Sequence, residues 1–127
     1  MRATTSATAA GLTPTKIAVL FSVVRNAPVR LSELAAEEGL NPTMLSRVIG
    51  DLVDAGLLER TSDPHDRRAA LVSTTAAGRR LTERIRRERT AALNEALAPL
   101  GEADRDALEH ALPALEALGE QLKRRRG

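Results

Sequence analysis

Apolar residues fall in short bursts at helical spacing, each bounded by a cap or a breaker. Ile17, Leu20, Phe21 and Val24 occupy the i, i+3, i+4 and i+7 positions of one helix face. Thr13-Pro14 opens that segment. The threonine oxygen suits a first-turn N–H, and proline at the first helical position lacks only an N–H with no helical partner. Asn26-Ala27-Pro28 ends it. Ser32 is predicted to cap a second, short helix, with Glu33 near the positive end of its dipole and Gly39 closing it. Asn41-Pro42 repeats the cap-and-proline opening for a third helix. Leu45, Val48, Ile49 and Leu52 form its buried stripe, and Gly56 stops it. Two short helices joined by Gly39-Leu40-Asn41 predict a helix-turn-helix.

The pattern then changes. Leu57 to Thr61 and Ala69 to Ser73 read as strands around the turn-rich loop Ser62-Asp63-Pro64-His65-Asp66-Arg67-Arg68. A hairpin in that position is a wing. Thr74 or Thr75 is expected to cap a long helix reaching about Ala98, where Pro99-Leu100-Gly101 breaks it. On its wheel Leu81, Ile85 and Ala92 align, with Leu93 and Ala96 beside them and Arg79, Arg80, Arg84, Arg86 and Arg87 opposite. A last helix runs from about Glu102 to Leu122, and Pro113 is expected to kink it. Its stripe of Leu108, Leu112, Leu115, Leu118 and Leu122 continues the apolar surface of Leu97 and Leu100. That surface lies outside the small winged-helix core, so it needs a partner, and a twofold copy is the simplest one. The expected fold is mainly α with a small β-hairpin wing, a winged helix-turn-helix plus C-terminal dimerisation helices. Residues 1–11 read as a tail, 12–75 as the winged helix-turn-helix, 76–122 as the dimerisation helices and 123–127 as a basic tail.

Composition narrows the chemistry. The chain has 127 residues, one domain's worth, with 43% hydrophobic and 28% charged residues. Phe21 is the sole aromatic, which argues against reading single strands by base stacking. Cysteine is absent, so there are no disulfides, thiolate nucleophiles or cysteine zinc sites. Only His65 and His110 are histidines, and no Gly-rich phosphate loop is present. No catalytic set, metal site or cofactor is therefore expected, and the chain does not read as an enzyme. Apolar runs too short for a bilayer and no signal-peptide core make a soluble cytoplasmic protein the expectation, with no membrane partner.

Net charge is only +2, but it is unevenly spread. Arg60 to Arg89 holds nine Arg against four acids, whereas Ala91 to Leu122 holds one Arg against seven acids. A basic middle and an acidic end predict one face for a polyanion and another for something else.

The order of elements resembles the MarR family of winged-helix transcription regulators. The resemblance is carried by LTPTKIAVLFSVV (12–24), LSELAAEEGLNPTMLSRVIGDLVDAGLLER (31–60) and DPHDRRAALVSTTAAGRRL (63–81). In the last, Asp63, Asp66, Arg67 and Arg68 match the family's wing, and Thr75 and Gly78 match the start of its long helix. The resemblance implies a further helix ahead of Leu12, where eleven weakly patterned residues stand. Either the chain's start lies inside a longer protein, or the dimer and pocket are built differently from the family's.

Candidate site residues follow from both readings. A helix N-terminus fits the major groove, and the exposed first turns of the third helix carry Thr43, Met44, Ser46 and Arg47. Arg47 suits bidentate recognition of guanine; the competing reading pairs it with Asp51 at i,i+4. Met44 suits a thymine methyl group, or else the core. The helix starts at Ser32 and Asn41 offer backbone amides to phosphate. Arg67 and Arg68 at the wing suit the minor groove, where the resemblance makes Arg68 the inserting residue and Asp66 its orienter. Asp63 is expected to cap the turn. Together these residues predict a homodimer that binds a pseudopalindromic site in double-stranded DNA in a sequence-specific way. The resemblance implies repression of its own or neighbouring genes, relieved by a small-molecule effector. The alternative is a winged-helix protein-interaction module that has lost DNA binding, against which Arg47, Arg67 and Arg68 speak.

Overall fold

The computed structural model describes residues 6–126. The elements, in order, are α1 (Ser6–Ala9), α2 (Pro14–Asn26), β1 (Val29–Arg30), α3 (Leu31–Glu38), α4 (Pro42–Asp54), β2 (Leu58–Asp63), β3 (Asp66–Thr74), α5 (Ala76–Leu97) and α6 (Glu102–Arg126). Helix starts are set by side chains that accept first-turn amides. Thr13 Oγ1 accepts the Lys16 N–H at 3.2 Å, Asn41 Oδ1 accepts the Met44 N–H at 2.7 Å, and Thr75 Oγ1 accepts the Gly78 N–H at 3.0 Å.

Ser32 does not cap α3. The helix begins two residues earlier than a Ser32 cap would place it, at Leu31, and Arg30 is its N-cap. Glu33 reaches back to accept the Arg30 N–H at 3.3 Å, which satisfies the helix start and leaves Ser32 exposed in the first turn. Gly39 ends α3 at a φ of 64°, a left-handed conformation suited to a residue without a side chain.

The wing is longer and tighter than the sequence pattern indicates. β2 and β3 pair antiparallel from Leu58↔Thr74 to Asp63↔Asp66, with an irregularity at Ser62/Asp63, so the turn is reduced to Pro64-His65. Asp63 closes it by accepting the His65 N–H on Oδ1 at 2.8 Å. β1 adds a third strand, giving the order β1-β3-β2, with Val29 opposite Val72 and Arg30 opposite Leu71. Two residues are too few for a strand period to show in sequence.

The core gathers around α2, whose Val19, Leu20 and Val23 are fully buried against α3, α4, β3 and α5. Leu34, Leu45, Ile49, Leu52, Leu58, Val72 and Ile85 are its other large, fully buried aliphatic side chains. Phe21 and Val24 are only half-buried, so the inward face of α2 lies over Leu20 and Val23 rather than over all four predicted positions. Each fully buried aliphatic side chain contributes about 1.5–3 kcal/mol of transfer free energy. Two terminal segments also differ from expectation. Ala7 of α1 lies in the core, inside the stretch that reads as a tail. At the other end α6 continues helical through Lys123–Arg126, past Pro113 and past Leu122.

Burial stops partway along α5. Gly78, Leu81, Thr82 and Ile85 are buried, whereas residues 86–96 are exposed. Leu93 is 60% exposed, and the α6 leucines Leu108, Leu112, Leu115, Leu118 and Leu122 are 46–55% exposed. Leu97 and Leu100 are half-buried where α5 meets α6.

Candidate nucleic-acid interface

α4 divides cleanly into two faces. Leu45, Val48, Ile49 and Leu52 anchor it in the core, while Thr43, Met44, Ser46 and Arg47 are exposed on its first turns. Met44 is 47% exposed, so it belongs to the outer face and not to the core. The i,i+4 partner of Arg47 is occupied elsewhere: Asp51 Oδ2 lies 3.4 Å from Lys16 Nζ on α2. Arg47 has no ion pair among the described residues. A planar guanidinium next to small hydroxyls and a thioether can hydrogen-bond a guanine edge and touch a methyl group.

The wing presents Arg67 and Arg68 exposed on β3, at the second and third positions after the turn. They sit in the strand itself, not in an open loop, and neighbours in a strand project to opposite faces. Asp66 Oδ1 accepts the backbone N–H of Arg68 at 3.0 Å. It therefore holds the Arg68 main chain, with no bond to the guanidinium among the described contacts. Asp63 is buried and serves the turn, as its position in the sequence indicates. The His65 N–H, and behind it the Arg30 guanidinium, hold the Asp63 carboxyl below the usual carboxylate range, against the opposing effect of burial.

The pair Arg30–Asp63, 2.7 Å apart, escapes sequence reasoning. No local pattern links residues so far apart in the chain; an acid inside a turn of exposed residues is the one available signal. α5 adds further cations. Arg86 and Arg89 stand 5.7 and 5.8 Å from the centroid of the Phe21 ring, and Arg79 donates to the Thr74 carbonyl at 3.5 Å. Glu88 accepts both the hydroxyl and the N–H of Ser6, which hold its carboxyl below the usual range and tie α1 to α5. A cleft of about 340 Å³ opens beside this tie, between α1, α2 and α5, with Leu12, Ile17, Ile85 and Arg89 among its walls.

His65 and His110 are exposed and remote from each other in the chain; His110 Nδ1 lies 2.8 Å from the Asp106 carbonyl oxygen. Among the described residues no group of three acids or histidines converges on a metal-sized site, and no helix is long and apolar enough to cross a membrane.

Comparison with known proteins agrees with this architecture. The MarR family profile matches residues 10–69. The HTH-type transcriptional regulator MT0903.1 of Mycobacterium tuberculosis is 33% identical over 103 residues, covering 81% of this chain and 72% of the relative. Among solved structures, RV1404 from Mycobacterium tuberculosis superposes with a TM-score of 0.80 at 28% identity, covering 91% of this chain and 80% of that one. Streptococcus pneumoniae FabT, solved in complex with DNA, shares the fold, with a TM-score of 0.77 at 18% identity over 87% of this chain and 78% of that one. A winged helix with these relatives identifies the chain as a member of the MarR family of HTH-type transcriptional regulators.

Proposed function

We propose that the protein is a homodimeric repressor that binds a pseudopalindromic site in double-stranded DNA in a sequence-specific way. The observation that carries this reading is the outer face of α4: Lys16 takes Asp51, and Arg47, beside Thr43, Met44 and Ser46, has no ion pair among the described residues. α4 enters the major groove, where Arg47 reads a guanine and Met44 packs on a thymine methyl. Amides at the starts of α3 and α4, near Ser32 and Asn41, contact phosphates. Arg67 and Arg68 follow the adjoining minor groove, where a guanidinium senses the negative potential of a narrow stretch.

The second half of the reading rests on the exposed leucines of α6, which continue past Leu100 and Leu97 onto α5. Five large aliphatic side chains on one helix are stable in water when a partner covers them, and a second copy does so with the same surface. Two recognition helices then read half-sites about one helical turn apart. Such a dimer represses its own or neighbouring genes by occupying the promoter. The cleft beside Arg89 gives a small-molecule effector a place to bind between the reading head and the dimer helices.

Selection of bound sequences from a random double-stranded pool at near-physiological salt tests this. Enrichment of a twofold-symmetric site with one-turn spacing is the expected result. Salt-sensitive retention without an enriched sequence overturns sequence-specific reading and leaves only phosphate contacts. No retention at all favours a protein-interaction module.

A further inference from the structure

The sheet contains an ion pair that joins two strands which are not neighbours. Arg30 ends β1 and Asp63 ends β2, with β3 between them. The Arg30 side chain therefore crosses β3 to bring Nη2 within 2.7 Å of Asp63 Oδ2. Both ends of this strut are fixed by other bonds. Arg30 stands opposite Leu71 in the ladder and donates its N–H to Glu33 in the first turn of α3. Asp63 uses its other oxygen, Oδ1, for the His65 N–H inside the wing's turn. One carboxylate thus connects the tip of the wing to the segment that starts the helix-turn-helix. The Asp63 side chain is 6% exposed against 44% for Arg30, so the carboxylate has given up most of its water for these two partners.

The need for a strut follows from the register. β1 reaches only Val72 and Leu71, so Ser62 to Ala70 forms a ribbon of two strands with no third strand beside it among the described residues. A two-stranded ribbon is marginal by itself in water. Arg67 and Arg68 are both on that ribbon.

We propose that Arg30 is a positioning residue for the wing: through Asp63 it holds Arg67 and Arg68 at a fixed reach from α4, and it makes no DNA contact of its own. This rests on the reading of α4 and the wing as the DNA-contacting surface. A strut and a phosphate contact leave different signatures. Neutralising a phosphate contact weakens binding to every sequence and lowers the salt slope by about one, whatever the wing does. Losing a strut removes only what the wing contributes, so it costs nothing further once both wing arginines are gone.

The test titrates Arg30→Gln, Arg30→Lys, the Arg67→Ala/Arg68→Ala pair and the Arg30→Gln/Arg67→Ala/Arg68→Ala triple variant against the selected site at matched salt. Arg30→Gln is expected to lose about fivefold in affinity, Arg30→Lys to recover most of it, and the triple variant to fall within about twofold of the Arg67→Ala/Arg68→Ala pair. Losses that multiply make Arg30 an independent DNA contact and overturn the proposal, as does unchanged affinity in Arg30→Gln. Amide exchange in the free protein supplies a readout without DNA. The His65 N–H is expected to exchange about tenfold faster in Arg30→Gln, while the Met44 N–H in α4 keeps its rate. Equal protection of His65 in both proteins overturns the proposal. If the unaltered protein selects no DNA sequence, the DNA reading fails, and exchange at His65 still decides whether Arg30 braces the wing.

Discussion

Lys16 Nζ on α2 lies 3.4 Å from Asp51 Oδ2 on α4, one helical turn beyond Arg47. The contact takes away the acid that Arg47 would otherwise pair with along its own helix. Removing Lys16 returns that acid. An i,i+4 pair is worth about 0.3–0.5 kcal/mol, so Lys16→Met is expected to weaken DNA binding roughly twofold by tying up Arg47. In an Arg47→Ala background the same substitution is expected to do nothing. Titrations of the four proteins at one salt concentration check this; a Lys16→Met loss that persists without Arg47 makes Lys16 a DNA contact itself.

Arg47→Ala is expected to relax discrimination at one base pair in each half-site by about 1–3 kcal/mol, with little change at other positions. Repeating the pool selection with the variant reads this directly. Uniform weakening across all positions would show that Arg47 contacts phosphate.

Arg68→Ala is expected to weaken DNA binding at least tenfold, as about 1.4 kcal/mol of wing contact is lost, with the dimer unchanged in sedimentation. Asp66 holds the Arg68 main chain and not its side chain, so the backbone geometry survives the substitution. Unchanged affinity at matched salt refutes the wing assignment.

What could be read from the sequence was what local chemistry writes into it. Thr13-Pro14 and Asn41-Pro42 each announce a helix start with a side chain that needs no tertiary partner, and each forms as expected, while of the open choice between Thr74 and Thr75 the cap is Thr75. Ser32 misleads because Glu33, the next residue, satisfies the helix start from inside. The exposed face of α4 was legible as the complement of its buried stripe. The pairing of Asp51 with Lys16 was not, because Lys16 comes from another helix. Arg30–Asp63 and β1 were hidden for the same reason: both depend on β3 arriving between distant segments. The resemblance supplied Gly78 as a motif position, and only packing explains it. A Cβ there would run into the Leu57 backbone carbonyl and lie 2.6 Å from Thr74 Oγ1.

That packing predicts a stability defect. Gly78→Ala forces α5 away from Leu57, whose carbonyl also accepts the Thr75 N–H at 3.1 Å. A loss of about 1–3 kcal/mol is expected, the usual range for overpacking, visible as a lower urea midpoint with an unchanged slope. Gly50→Ala serves as control, since a Cβ at Gly50 meets nothing within 4 Å. Equal midpoints for the two variants would remove the close approach as the reason for glycine at 78.

Leu115 is 53% exposed in the middle of the α6 stripe. Leu115→Glu is expected to give monomers in sedimentation while circular dichroism and the folded core stay intact, because nothing in the core depends on that side chain. A surviving dimer moves the interface off α6. Monomers that still bind one half-site weakly would separate the reading head from its assembly.

Acid should act through two carboxylates, and the sign follows from their partners. Asp63 and Glu88 are both held below the ordinary carboxylate range, the first chiefly by the His65 N–H and the second chiefly by the Ser6 hydroxyl. A group whose folded pKa is depressed contributes stability above its unfolded value and loses it as pH falls through the folded one. Unfolded Asp and Glu titrate near about 4, so both contributions are complete at neutral pH and fade below about pH 4. Asp63→Asn and Glu88→Gln are each expected to flatten the decline of stability in that acid range, since neither variant has a proton to gain there. Urea titrations of the three proteins between neutral pH and about pH 3 measure the slopes. Parallel declines in all three would mean that neither carboxylate is held as the hydrogen bonds to His65 and Ser6 require.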